Sequence, residues 1–336
     1  MSFNVSRRGL LAGVLGLGAL AACGDGTSGG AAGPASGGGA WAFTDDRGTN
    51  VSVPARPQRI VAYVGSAAAL RDFGVDAQLV GVFGPLKAAD GGKDPLAGDL
   101  DPAKLESLGN AWGEFNIEKY AALRPDLLIT NMYEPDALWY VPDDSKDKIL
   151  ALAPSVGLNV ARTTLLKVIE RYAALAASLG ADQAAKPVAD AKARFEAASD
   201  AVKAAVKANG GLKVLAASAS PDLLYVSDPK VYADLSYYQE LGVEVLVPGQ
   251  VTGGYFENLS WENADKYKAD VILLDSRTSA LQPKDLTSKP TWAGLPAVKA
   301  GQIVPWLSEP RFSYAGCAAP LETLAKSLSG AKKVAS

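Results

Sequence analysis

Beyond residue 40 the apolar and polar positions fall into an order that is used twice. "RIVAYV" (59–64) and "QLVGVF" (78–83) are short continuous apolar runs of the kind that form buried strands, and Ala67 to Phe73 between them reads as a helix stopped by Gly74. After Gly211 the order returns as strand "LKVLAA", helix "YADLSYYQELG" and strand "VEVLVPG", with Phe73-Gly74-Val75 and Leu241-Gly242-Val243 in matching places. A second match is clearer. "NIEKYAALRPDLLI" (Asn116 to Ile129) aligns without gaps on "SWENADKYKADVIL" (Ser260 to Leu273), which sets Glu118 on Glu262, Arg124 on Lys268 and Asp126 on Asp270. Each copy reads as a short helix, a basic turn and a strand entered after an aspartate. The pattern predicts two related α/β lobes, 41–180 and 211–330, of alternating strands and helices.

Between the lobes, Asp182 to Ala208 carries no strand signal, and Val188, Phe195 and Val202 recur seven apart with Ala191, Ala198 and Ala205 beside them. That is an amphipathic helix, with Asp182 as its cap, Pro187 tolerated in an early turn and Asn209-Gly210-Gly211 as its stop. A linking helix over 181–210 would run on the order of 35–40 Å, a stiff connection that disfavours large hinge closure.

Ahead of the lobes stands "SRRGLLAGVLGLGALAACGDG" (Ser6 to Gly26). Its apolar run, Leu10 to Ala22, is interrupted by Gly13, Gly16 and Gly18 and is shorter than the roughly 20 residues that span a bilayer as a helix. It has the form of a signal peptide over 1–22, an apolar region behind a basic start. Gly24 to Gly39 has almost nothing to bury, so 23–40 reads as a flexible tether.

Composition narrows the chemistry. The chain has 336 residues and is 48% apolar, enough for a large core and near the size at which one core divides into two. Its formal charge of -3 becomes -5 once residues 1–22 leave with Arg7 and Arg8, which argues against nucleic acid as a partner. There is no histidine, so Ser-His-Asp and Cys-His nucleophile systems and imidazole-held metal or haem iron are excluded. Cys23 and Cys317 lie in an N-terminal tail and the last helix and read as separate, with no disulfide. No phosphate-binding glycine loop is present, so any ATPase is another chain.

Ligands of open α/β lobes bind outside the carboxyl ends of the strands. The loops at those ends collect Tyr63, Tyr133, Trp139, Tyr140, Tyr225, Trp306 and Tyr314, while Trp112, Tyr255 and Phe256 precede the two glutamate segments. The loop "WLSEPRFSYAG" offers Arg311, and Lys87 and Arg277 sit on suitable loops. A hydrolase is the rival reading, because "YEPDALWYVPDD" gathers Glu134, Asp136, Asp143 and Asp144 beside aromatics. Those acids fall within one segment, and a solvated acidic loop is the simpler account.

Three resemblances bear on function. "SRRGLL" resembles a twin-arginine export signal, with Leu10 where that signal usually has Phe, and "LAAC" (Leu20 to Cys23) resembles a bacterial lipoprotein processing box, which implies a lipid on Cys23 and a place on the outer face of the cytoplasmic membrane. From about Arg56 to Leu328 the chain resembles the iron-siderophore and cobalamin substrate-binding proteins of ABC importers. "QRIVAYVGSAAALRDFGV", "NIEKYAALRPDLLI" and "TWAGLPAVKAGQIV" carry that likeness. It implies two Rossmann-like α/β lobes joined by a single long rigid helix, a ligand cleft between them, and a monomer that is no enzyme and holds no cofactor. The expected ligand is a ferric siderophore, hydroxamate-like because basic residues near the cleft are few, with cobalamin as the alternative. The expected partners are a permease dimer and its separate ATPase. Trp112, Tyr133, Tyr225, Tyr255, Phe256, Arg311 and Tyr314 are the expected ligand contacts, no protein atom touches the iron, and Glu118 and Glu262 are expected to meet arginines of the permease.

Overall fold

The computed structural model describes residues 39–88 and 90–335. The signal-peptide reading, the lipidation of Cys23 and nearly all of the tether lie outside the described residues. In the first lobe a hairpin of β1 (Trp41–Thr44) and β2 (Asn50–Val53) leads into β3 (Ile60–Tyr63), which passes directly into α1 (Val64–Asp72). There follow β4 (Leu79–Phe83), β5 (Glu106–Ser107), α2 (Ile117–Ala122), β6 (Leu127–Met132), α3 (Lys146–Leu150), β7 (Ser155–Asn159) and α4 (Leu165–Ser178). The sheet runs β5-β4-β3-β6-β7 with every pair parallel. This is doubly wound, and chain direction across the sheet reverses between β3 and β6, where such folds hold their ligands.

The linking helix α5 (Lys186–Ala208) starts four residues later than the pattern predicts, because the Asp182 carboxylate caps a turn ahead of it, accepting from Ala184 N at 2.9 Å. Its 23 residues span about 35 Å. The second lobe contains β8 (Lys213–Ala219), β9 (Leu223–Ser227), α6 (Ala233–Glu240), β10 (Glu244–Val245), β11 (Phe256–Ser260), β12 (Val271–Asp275), α7 (Pro290–Gly294), α8 (Pro296–Lys299), β13 (Ile303–Trp306) and α9 (Tyr314–Gly330). Here β10, β8, β12 and β13 are parallel, but β9 and β11 add antiparallel to the far end of β8. That addition shortens the strand expected from "VEVLVPG": with β12 on one edge of β8 and β9 on Ala217 to Ala219 of the other, β10 pairs only with Lys213 and Val214.

The duplicated segments do the same work at their aspartates. Asp126 N donates to Arg59 O at 2.8 Å while its carboxylate accepts from Gln58 N and Arg59 N; Asp270 N donates to Lys213 O at 2.8 Å while its carboxylate accepts from Lys213 N. Each aspartate thus ties its strand to the start of its lobe's first central strand. The helices differ. Asn116 caps α2 through Lys119 N, whereas Ser260 makes no such bond and the Trp261 indole N–H is held by Ser220 O and Pro221 O, leaving only a 3₁₀ turn, Trp261–Asn263.

The lobes share more than one helix. α9 packs along α5 and is pinned by a two-pronged Arg194–Glu322 pair and by Asn209 Nδ2 donating to Leu328 O and Ala331 O. The segment leading into α9 returns to the first lobe, where Phe312 stacks on Tyr172 and Tyr314 meets Phe73 edge-on. One long helix links the lobes in sequence, as predicted, but the segment before α9 touches the first lobe again and the spine is a helix pair. Among the described residues no helix is long and apolar enough to cross a membrane.

One carboxylate is buried behind this spine. Asp234, at the start of α6, accepts from the Trp306 indole N–H at 2.7 Å, and burial pushes its pKa up to about 6 against the hydrogen bonds that lower it. The folded chain keeps a proton that the unfolded chain releases near pH 4, so stability falls as pH rises from about 4 to 6 and the loss is constant above. Asp234→Asn keeps the acceptor and removes the charge. Urea unfolding of the variant is expected to lose that decline and to show a gain on the order of 2 kcal/mol at pH 7.

Candidate functional site

Strands of both lobes end at one junction. β3 ends on Tyr63 and β6 is followed by Tyr133, while Arg277 lies two residues beyond β12 and Glu309 three beyond β13. Glu309 is 7% exposed, and its carboxylate accepts from Tyr63 Oη at 2.7 Å and Trp139 Nε1 at 3.1 Å in the first lobe and from Arg277 Nη1 in the second. Arg277 also grips the fully buried Asp275 through Nε at 2.9 Å and Nη2 at 2.7 Å, and Ser218 Oγ donates to that carboxylate at 3.0 Å. Burial opposes the Arg277 charge, but Glu309 and Asp275 outweigh it, and the guanidinium holds its proton more firmly than usual. Burial, and then the Glu309 charge, drive Tyr63 well above the ordinary phenol range, so its hydroxyl remains a donor.

From this junction an aromatic wall rises on the first lobe. Tyr63 packs on Tyr140 at 5.3 Å, Tyr133 on Trp139 at 4.7 Å, and Trp112 on both Trp139 at 4.7 Å and Tyr140 at 5.0 Å. Trp112 is 63% exposed, the most open of the large apolar side chains among the described residues. Its loop is built to present it: the Glu114 carboxylate accepts from Asn110 N and Ala111 N, both at 3.0 Å, and Asn110 ties the loop to Leu86 and Lys87. Gly84, at φ +92°, lies where a Cβ would stand 2.7 Å from the Tyr63 ring, so only glycine seats that ring beneath the wall.

The second lobe contributes one face of its antiparallel addition. Ser218 pairs with Tyr225 across β8 and β9, and Tyr225 with Asn258 across β9 and β11; the alternate residues Ala217, Val226, Glu257 and Leu259 are buried on the other face. Tyr225 meets Phe256 at 5.0 Å on the open side, beside the Ser218–Asp275–Arg277 chain. The lobes are clasped at two further places. Thr278 Oγ1 donates to Asp94 Oδ2 at 2.9 Å, and Tyr255 Oη donates to Tyr133 O next to a backbone bridge between Ala161 and Tyr232. Arg162 completes the second clasp, 4.9 Å over the Tyr255 ring and paired with Glu134.

The sequence-derived candidates are distributed as follows. Trp112 and Tyr133 both pack on Trp139 in the first-lobe wall, and Tyr225 and Phe256 pack on each other in the second lobe; Tyr133 is buried and its hydroxyl has no partner. Tyr255 is in the clasp. Arg311 and Tyr314 are not brought to the wall: Arg311 pairs with Asp72 at 3.3 Å and packs on Gly98, while Tyr314 fits between Phe73 and Phe195 in the spine. The arginine at the junction of the lobes is Arg277, one of the two loop cations noted in the sequence; the other, Lys87, is exposed beside the Trp112 loop. Glu309 was not singled out, though an acidic residue in the loop after the last strand was a usable signal. Glu118 and Glu262 are both exposed, each in the first turn of its segment. Glu134, Asp136, Asp143 and Asp144 are exposed on one loop and do not face each other across a cleft. Cys317 is buried, and burial pushes its thiol well up, which leaves it inert.

The periplasmic binding protein family matches residues 62–310 of the chain. The chain is similar to the solved structure of DesE, a ferric-siderophore receptor protein from Streptomyces coelicolor, at 50% identity over 88% of this chain and 99% of that one, with a TM-score of 0.84. At 17% identity it shares the fold of the petrobactin-binding protein YclQ from Bacillus subtilis, over 86% of this chain and 98% of that one, with a TM-score of 0.65. At 22% identity it shares the fold of a siderophore periplasmic binding protein from the fuscachelin gene cluster of Thermobifida fusca, over 83% and 98%, with a TM-score of 0.59. No curated protein matches the sequence.

The placement of Arg311 has a measurable consequence. Asp72 is nearly buried and keeps only Ser313 Oγ if the guanidinium is removed. Arg311→Met is expected to lower stability in urea by about 2–3 kcal/mol, less than for a fully buried pair because Arg311 is partly exposed. Emission from the Trp112–Trp139 pair should be unchanged in the folded variant.

Proposed function

Because this chain belongs to the periplasmic binding protein family, we propose that it captures a ferric siderophore between its lobes and delivers it to the permease of an ABC importer. The observation that carries the reading is the open aromatic wall of Trp112, Trp139 and Tyr140, on the lobe whose strand order reverses between β3 and β6, and joined through the Trp139–Glu309–Arg277 hydrogen bonds to the second lobe, which bears Tyr225 and Phe256. The half-identical ferric-siderophore receptor from Streptomyces coelicolor supports the same ligand class. Aromatic faces pack on the organic shell of a chelate, so the iron, as cargo, needs no protein ligand and no cofactor takes part. Arg277 already has two carboxylate partners, which favours a hydroxamate-like chelate of low charge over a highly anionic tricatecholate. Capture and release involve no bond making, and the protein acts as a carrier rather than an enzyme.

Glu118 and Glu262 suit the docking role. They are exposed, they occupy the same position of the duplicated segment, and Glu118 follows the Trp112 loop closely in sequence. Two carboxylates on two lobes can pair with guanidinium groups and fix orientation on a permease dimer. With export by the leader and a lipid on Cys23, the carrier works outside the cytoplasmic membrane as a tethered monomer.

Tryptophan quenching is expected to saturate with ferric trihydroxamates and not with haem or cobalamin; saturation by cobalamin alone would overturn the reading. Trp112→Ala should weaken chelate binding about tenfold without loss of stability. Glu118→Arg combined with Glu262→Arg should abolish iron uptake by cells while leaving affinity in solution intact, and unchanged uptake would remove the docking role. Cys23→Ala should move the protein from the membrane fraction to the medium or periplasm.

A further inference from the structure

We infer that Glu309 sets the charge selectivity of the cleft: by pairing Arg277, which Asp275 also holds, it keeps the floor negative and excludes strongly anionic ferric chelates. The inference rests on the carrier reading above and adds the residue that decides which chelates enter. The Asp275 side chain has no exposed surface and that of Glu309 is 9% exposed, whereas the Arg277 side chain is 30% exposed. One guanidinium therefore faces the cleft with two carboxylates behind it, for a net charge of -1. Asp94, 3% exposed, adds another carboxylate at the Thr278 clasp. The other arginines bordering the lobe boundary, Arg162 and Arg311, are likewise paired with Glu134 and Asp72, so neither supplies spare positive charge.

Glu309 is held so that it cannot turn away. Tyr63 and Trp139 fix one oxygen from the first lobe, and both side chains belong to the aromatic wall. An arginine that would otherwise attract chelating oxygens is thereby spent on the protein's own carboxylates. A ferric tris-catecholate carries three negative charges and meets net repulsion at this floor, while a neutral or cationic ferric trihydroxamate does not. Discrimination of this kind comes from a built-in repulsive element as much as from contacts to the accepted ligand. Within a few ångströms and at the dielectric of a protein surface, removing one such charge shifts binding of a trianion by tenfold or more.

The test compares dissociation constants of two probes on the full chain by tryptophan quenching: a panel of neutral and cationic ferric trihydroxamates, and a trianionic ferric tris-catecholate. The reading is their ratio, because a packing defect weakens both while a charge effect separates them. Glu309→Gln keeps the acceptor for Tyr63 and Trp139 and should improve the relative affinity for the tris-catecholate by about tenfold or more. Arg277→Gln leaves both carboxylates and should move the ratio severalfold the other way, and Glu309→Asp should keep the wild-type ratio. Ratios within about twofold of wild type for both Glu309→Gln and Arg277→Gln, or a shift of the same sign in both, would overturn the inference while leaving the carrier reading in place. A wild-type protein that binds no ferric chelate would remove the carrier reading and this inference with it.

Discussion

A carboxylate taken out of water is costly unless its oxygens are fully engaged, and Glu309 finds its partners in both halves of the molecule. Tyr63 and Trp139 come from the first lobe and Arg277 from the second, so separating the lobes would strand a buried charge. The relative position of the aromatic wall and the Tyr225–Phe256 face follows from that constraint. The Asp94–Thr278 and Tyr133–Tyr255 clasps and the α5–α9 spine act in the same direction. These contacts all oppose separation of the lobes.

The duplication explains what the halves share and where they part. Asp126 and Asp270 make the same contacts to the backbone of Arg59 and Lys213, and Glu118 and Glu262 sit eight residues ahead of them on the surface. Shared features thus serve folding and the outer surface. The parts that face ligand are not shared. The first lobe offers a self-capped loop carrying Trp112, and the second offers the antiparallel β9 and β11, which have no counterpart across the cleft. Two unlike walls suit an asymmetric ligand better than two copies of one wall would.

Much was legible in the order of residues. Continuous apolar runs specified the strands β3, β4, β6, β8 and β12, seven-residue spacing specified α5, and the aligned segments specified two lobes, because strand burial and helix amphipathicity depend on neighbours close along the chain. The missing histidine restricted the chemistry from composition alone. The tertiary structure alone decided which arginine joins the Glu309 junction: Arg311 and Arg277 both follow second-lobe strands, but Arg311 meets Asp72, 239 residues earlier, and Arg277 meets Glu309. It likewise made Glu309 the centre of the junction and reduced "VEVLVPG" to a two-residue strand. Ion pairing and edge occupancy depend on what lies within a few ångströms in space, and that neighbourhood exists only after the lobes have packed.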